Sequence, residues 1–293
     1  MDWVRIESPA YWLMFTLAFL AAAQWESRHA ERPWIVPAGR RWARHGALLF
    51  FNGVLLTIIV RLTPVAVAIL AREHTWGVFR QAFFLDGVGY GVAFISTVLL
   101  LDLTRYAMHR LGHSFDWLWR IHRVHHSDPD FDVSTGARFH PLETILLQGA
   151  NLAAIWLLSP PLAGVVASEV LAAGINFVEH ANAAFPAAWE RRLRLWIVTP
   201  SLHRIHHSEH IADQHTNLGT LFPWWDRILG TYTEKSTAGG EFAVGLPGYQ
   251  NAESMGFGEI LLQPVRPAKH SPQQPAEMEN AGSAIEGEPA SRL

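Results

Sequence analysis

Five histidines fall within one short stretch, HRLGHSFDWLWRIHRVHH from His109 to His126, and its closing pattern returns as HRIHH from His203 to His207. On a helix, residues three and four apart share a face. His109 and His113 are four apart, His122 stands three and four before His125 and His126, and His203 stands the same way to His206 and His207. Each group is therefore expected to offer its imidazoles to a common point. A lone HxxxH pair is often only a solvated surface feature. Ten of the sixteen histidines, however, lie between His109 and His207. The fold must bring segments some eighty residues apart to one place.

Composition supplies the setting. Apolar residues make up 49% of the 293 residues and charged residues 17%, and the apolar ones gather into runs longer than soluble helices need. That predicts an all-α, polytopic membrane helical bundle of four to five spans or hairpins, with a cytoplasmic helical cap carrying the histidine boxes. Spans are expected at Tyr11–Ala23, Gly46–Val60 and Gly87–Tyr106. The second ends at Arg61 and Pro64, with Val65–Ala71 as a short interfacial or re-entrant piece. An apolar hairpin, Leu142–Leu158 and Leu162–Phe177, turns at Ser159, Pro160 and Pro161. Residues 1–265 read as a single integral-membrane domain and 266–293 as a polar, disordered tail.

The loop at 25–45 carries Arg28, Arg32, Arg40, Arg41 and Arg44, which by the positive-inside rule makes it cytoplasmic. Counting spans from there puts residues 107–140 and 178–265 on the same cytoplasmic side, so all the clustered histidines share one face. The net charge of −3 and the scattering of the arginines give no basic face for nucleic acid.

With no cysteine in the chain, any metal must be held by histidine, carboxylate or backbone. Imidazole suits zinc, copper, iron and nickel, and eight or nine such ligands are too many for one ion, so two ions are the natural count. Carboxylates that take the other ring N–H would offset metal charge and orient the rings. Asp102 lies on the helical face of His109 through Tyr106, with a capping role as the plain alternative. Asp116, Asp128, Glu143, Glu179 and Asp213 are further candidates. His29, His45, His74 and His270 read as surface or interfacial residues.

HRLGH, HRVHH and HRIHH, together with RFHPLE, EHAN and DQHTNLGTLFPWWDRILGTY, resemble the fatty acid hydroxylase and sterol desaturase superfamily of membrane di-iron oxygenases over residues 85–235. The closing stretch is similar to the alkylglycerol monooxygenase branch. The resemblance implies a non-haem centre of two Fe that uses O2 to hydroxylate or desaturate a C–H bond of a fatty acyl, sterol or ether lipid. Carried over, its ligands are His109, His113, His122, His125, His126, His203, His206 and His207, with His180, four residues after Asn176, as a ninth. His140 would bind metal, hydrogen-bond a ligand or hold its loop; Glu179 and His215 would support ligands. No fused electron-transfer module is recognisable, so the resemblance implies a separate external electron donor of cytochrome b5, ferredoxin or pterin type.

Two other classes also use clustered histidines. A membrane metal-binding or transport protein would place its site near the bilayer midplane, whereas these boxes follow the ends of spans. A membrane zinc hydrolase would carry fewer ligands and a carboxylate base such as HExxH, which is not present.

Overall fold

The computed structural model describes residues 3–74, 76–79, 87–250 and 256–267. The expected tail from residue 268 onward, with His270, lies outside the described residues. Among those described the chain is almost wholly helical, with one isolated bridge between Ser208 and Val244. Five segments are long and apolar enough to cross a membrane: Arg5–Arg28, Ala38–Glu73, Gly87–Ser114, Pro141–Leu158 and Leu162–Glu179. These match the spans expected from hydropathy.

The first long helices are α1 (Trp3–Arg28), α2 (Ala38–Ile59), α3 (Pro64–Glu73) and α4 (Gly87–Ser114). Their outward faces expose Leu13, Leu17, Phe50, Ile58, Val88 and Ile95. So much exposed apolar surface would drive association in water. In a bilayer it is the solvent-facing surface, while the helices satisfy their own backbone groups.

The second apolar stretch is broken where Arg61 turns to φ 56° and Pro64 restarts the chain as α3. The free N–H groups of α3 are met by the Thr63 hydroxyl, which accepts from Ala66, and by Glu7 of α1, which accepts from Val65 at 2.9 Å. Val65, Val67, Ala68 and Ala71 are buried, and α3 packs on the hairpin α6 (Pro141–Leu158) and α7 (Leu162–Glu179). The piece is thus a packed helix of the bundle.

His140 caps α6 and Pro141 occupies its first turn. Ser159, at φ 47°, and the two prolines after it turn the chain into α7. Each hairpin helix has 18 residues, about 27 Å of rise against a bilayer core of about 30 Å. Gly164 allows α7 close to α4, since a Cβ there would lie 2.9 Å from the Thr97 Cβ. Because two helices separate the first histidine cluster from the last, the chain returns to the end from which it left.

At that end lie α5 (Asp116–His126), a 3-10 turn at Val133–Ala137, α8 (Ala187–Leu193), α9 (Pro200–His206), α10 (Ile211–Gln214), α11 (Trp224–Leu229) and α12 (Phe257–Leu262). One charged knot ties the 128–132 loop to α2. Arg41 reaches Asp128 at 2.8 Å, Asp130 at 2.6 Å and Asp132 at 3.0 Å, all with fully buried side chains. His45, expected at a surface or interface, is fully buried here instead: its Nδ1 pairs with the Ser134 hydroxyl and its Nε2 accepts from Arg138. Arg41 and His45, in an apparently solvated basic loop and helix start, thus belong to a structural core, because the acidic loop SDPDFD folds over them.

Candidate metal centre

Nine histidines meet at the end of the bundle in two groups. One holds His109, His113, His122, His126 and His206; the other holds His125, His180, His203 and His207, with the donor atoms of each group within 4.8 Å of one another. These are the eight box histidines and His180.

His109 and His113 join the same group, as their spacing suggested, but the two HxxHH boxes do not each converge on one point. In an α-helix, successive residues differ by about 100°, so positions i and i+4 share a direction while i+3 falls to the other side of i. His122 and His126 accordingly join the group of five, and His125 the group of four. In the second box the assignment is reversed: His203 and His207 join the four and His206 the five. Adjacent rings stand nearly perpendicular, 89° for both His125–His126 and His206–His207. Each HxxHH box serves both groups.

The tautomers follow from the ring partners. A carbonyl can only accept, so the Nδ1 atoms of His109, His206 and His180 donate, to Leu218 O at 2.9 Å, Thr216 O at 2.9 Å and Asn176 O at 2.6 Å. His122 Nδ1 faces the Glu143 carboxylate at 2.5 Å. With Nδ1 as the donor, Nε2 of the neutral His109, His206 and His180 rings carries a bare lone pair. Yet His122 Nε2 lies 3.0 Å from His113 Nε2 and 3.1 Å from His126 Nε2. In the other group His180 Nε2 lies 3.2 Å from His125 Nε2 and 3.0 Å from His203 Nε2, and His207 Nε2 lies 3.2 Å from His203 Nε2. The buried Nε2 atoms of His109 and His206 have no hydrogen-bond partner at all.

The Nε2 lone pairs of His109 and His206 are unanswered, and the Nε2 atoms within each group converge at a spacing that a shared cation would fill. Two nitrogens bound at about 2.1 Å to one ion are separated by roughly 3.0 to 3.4 Å, the spacing seen here. Burial also pushes His125, His126, His203, His206 and His207 well below the ordinary imidazole range, with neighbouring imidazoles adding to the shift, and brings His180 down to about 4. Neutral rings are the form that binds metal. The residues therefore fit two metal ions.

Of the carboxylates considered from sequence, Glu143 faces a ring nitrogen, His122 Nδ1. Glu179 is buried beside His180 but stays 3.7 Å from its Nδ1. Asp102 corrects the expectation placed on it: its oxygens accept from Leu221 N, Phe222 N and Trp225 Nε1, not from His109. It holds the segment whose Leu218 carbonyl takes the His109 proton. Asp128 belongs to the Arg41 knot, and Asp213 accepts from Ser236 and Thr237.

His140 lies outside both groups. Its Nδ1 accepts from Leu142 N at 3.2 Å and its Nε2 faces Leu261 O at 3.3 Å, so both nitrogens are spent on capping α6 and fastening α12. Asn176 supports His180 through its backbone carbonyl, while its side chain donates to Gly136 O. The His215 ring lies 6.0 Å from that of His113.

Sequence reasoning missed Asp226 and the carbonyls it positions. Asp226 accepts from Leu218 N and Gly219 N, presenting Leu218 to His109; Asn217 donates to Leu202 O of α9 and to Thr233 O. Backbone acceptors leave no side-chain signature, so no spacing rule finds them.

A cavity of about 310 Å³ opens from the histidines into the bundle. His109, His122, His125, His180 and His203 line one end, and Leu56, Met108, Leu118, Ile121, Leu146 and Leu147 supply apolar wall. Both histidine groups reach it.

Residues 94–231 match the fatty acid hydroxylase family. Ornithine lipid hydroxylase OlsE of Rhizobium tropici is 30% identical over 169 residues, 58% of this chain and 50% of that protein. Alkylglycerol monooxygenase of Homo sapiens is 29% identical over 146 residues, 47% of this chain and 30% of that protein. Cholesterol 25-hydroxylase of Rattus norvegicus is 25% identical over 136 residues, 46% and 44% of the two chains. The matched segments thus span half or less of these relatives. No solved structure matches the chain.

Proposed function

We infer that the chain, which matches the fatty acid hydroxylase family over residues 94–231, is a membrane di-iron monooxygenase that hydroxylates a lipid C–H bond. The observation that carries this reading is the joining of two imidazole groups to one apolar cavity within the bundle. The first group of five and the second of four would each hold one iron. When bound, the iron pair would supply activation of O2 and oxidation of an unactivated C–H bond. Imidazole donors alone also suit zinc or copper; the family match favours iron. The relatives are named hydroxylases and monooxygenases, which favours hydroxylation over desaturation.

The chain's own residues do four things in this reading. The nine histidines present neutral Nε2 or Nδ1 donors in two sets. Glu143 and the carbonyls of Leu218, Thr216 and Asn176 hold ring protons on the far side, fixing orientation. The apolar cavity wall excludes water and aligns an acyl or ring carbon against the histidine end. Glu179, buried and lining the same end, is placed to hold a proton beside His180. Electrons come from a separate donor, and the arginines of the 25–45 loop support a cytoplasmic location for the histidine end. A transporter reading is disfavoured because the groups lie at the helix ends rather than at mid-span.

The experiment compares lipid extracts of cells with and without the protein by mass spectrometry. A lipid gaining one oxygen supports the reading. Unchanged lipids with stoichiometric zinc and no O2 uptake on reduction would count against it.

A further inference from the structure

The cavity does not end in hydrocarbon. Its membrane-side wall includes Asn151 of α6, Glu169 of α7 and Arg105 of α4. Arg105 donates to Glu169 Oε1 at 2.7 Å and to the Ser168 hydroxyl at 2.9 Å, and Asn151 Nδ2 donates to the same Glu169 oxygen at 3.1 Å. Ionisable groups within membrane helices are costly and mark function more often than they decorate lipid-facing surface. A structural pin between α4, α6 and α7 explains the bonds already made. It does not explain Asn151 Oδ1, which is buried without a partner on a residue only 6% exposed, nor why the cluster faces the cavity.

Two independent paths set the depth of this cluster. Along α6, Asn151 lies about 12 Å of helix rise beyond Glu143, which touches His122. Along α7, Glu169 lies about 16 Å before His180. The polar end is therefore about two to three helical turns from the histidines along α6 and α7, near the middle of those two helices, and the Arg105 side chain reaches it from about one turn before His109 on α4.

The chemistry of the open atom selects the ligand. Asn151 Oδ1 accepts only, and Glu169 adds carboxylate acceptor capacity, so the subsite wants a donor. Arg105 already balances Glu169, so a charged ligand would bring uncompensated charge to mid-membrane. A neutral donor fits; an amide N–H would bring a carbonyl that needs a donor of its own in the hydrocarbon, so among lipid groups a hydroxyl fits best. We propose that the Asn151–Glu169–Arg105 end of the cavity binds a hydroxyl of the lipid substrate, and by its distance from the histidines determines which carbon is oxidised. This rests on the reading of the cavity as a lipid site; it adds the substrate class, an amphipathic lipid with a hydroxyl remote from the oxidised carbon.

The test uses binding, not turnover. Purified protein in nanodiscs, without reductant, is titrated with radiolabelled dodecan-1-ol and, separately, with dodecane. The wild type is expected to prefer the alcohol by about tenfold, the worth of one hydrogen bond to an otherwise unsatisfied buried acceptor. Asn151→Leu should abolish the preference while leaving alkane binding unchanged, and Gln148→Leu, elsewhere on the cavity wall, should retain it. Equal binding of the two probes by the wild type overturns the proposal, as does a preference that survives Asn151→Leu. Should Asn151→Leu not fold, the wild-type comparison decides alone. Metal analysis of the same preparation keeps the two readings apart: zinc in place of iron would sink the oxygenase reading, while the alcohol preference is read regardless.

Discussion

His126 and His207 stack face to face, with ring centroids 4.3 Å apart and planes 14° from parallel, although one belongs to the group of five imidazoles and the other to the group of four. They come from boxes that are far apart in sequence and are swapped in their assignment. The two histidine groups are consequently coupled through both HxxHH boxes, and neither HxxHH box can be lost without touching both groups.

Single substitutions should still separate the groups. His203→Ala leaves three imidazoles in its group, whereas His206→Ala leaves four in the other. His203→Ala is expected to purify with about one iron per chain where the wild type holds about two, and His206→Ala with a content nearer the wild type's. Elemental analysis checks this, and equal losses in the two variants would contradict the grouping.

Glu143 orients His122 by a 2.5 Å contact with Nδ1. Removing it as Glu143→Ala is expected to weaken metal retention against a chelator by about 10- to 100-fold, with Glu143→Gln retaining more because its amide oxygen still accepts. Competition with a chromogenic chelator measures the difference. The same assay applied to His140→Ala should show metal retention unchanged, since both ring nitrogens of His140 face backbone.

The knot at Arg41 makes a stability prediction. Replacing Arg41 with Met leaves three buried carboxylates without their cation, a loss of about 3–5 kcal/mol for breaking a buried pair. Thermal unfolding in detergent should show a large drop in Tm, and an unchanged Tm would show that the knot does not hold the 128–132 loop.

Metal-free protein should be acid-sensitive. His180 has its folded pKa lowered from 6.5 to about 4, and His125, His126, His203, His206 and His207 are also held well below 6.5 by burial. Below pH 6.5 the unfolded chain binds more protons than the folded one, so stability rises with pH there and flattens above it. Tm of the metal-free protein should fall steadily from pH 6.5 toward 4 and change little from 7 to 8. A Tm independent of pH across that lower window would contradict the burial of neutral rings.

A fifth prediction concerns close approach. A Cβ at Gly136 would lie 2.8 Å from Asn176 Nδ2 and 3.0 Å from Asn176 O, the acceptor for His180. Gly136→Ala should therefore weaken metal retention in the group of four while leaving the group of five in place, and chelator competition resolving two metal classes would show it.

Much of this architecture was legible from hydropathy and spacing. The five apolar segments and the hairpin that returns His180 to the end of the boxes follow from patterns of period and length, while the place of His180 as a ninth ligand came from the family resemblance. Spacing alone did not reveal the division of each HxxHH between two groups, because i+3 and i+4 both count as neighbours until a partner occupies one side. Asp102 sat on the face of His109 by register, but the 221–225 segment supplied three donors and claimed it. His45 looked superficial because its neighbours are basic, and only the folding of the acidic loop over Arg41 buries it. The acceptors for His109, His206 and His180 are backbone carbonyls, which every residue carries and no sequence pattern marks.

The central claim is that the two histidine groups form one two-iron centre. Iron per chain, measured by elemental analysis on protein purified anaerobically with ferrous iron supplied, tests it most directly. The account predicts about two irons per chain in the wild type and fewer in His203→Ala, with O2 consumed on reduction. One metal per chain in the wild type, or a tight zinc content with no O2 uptake, would contradict it.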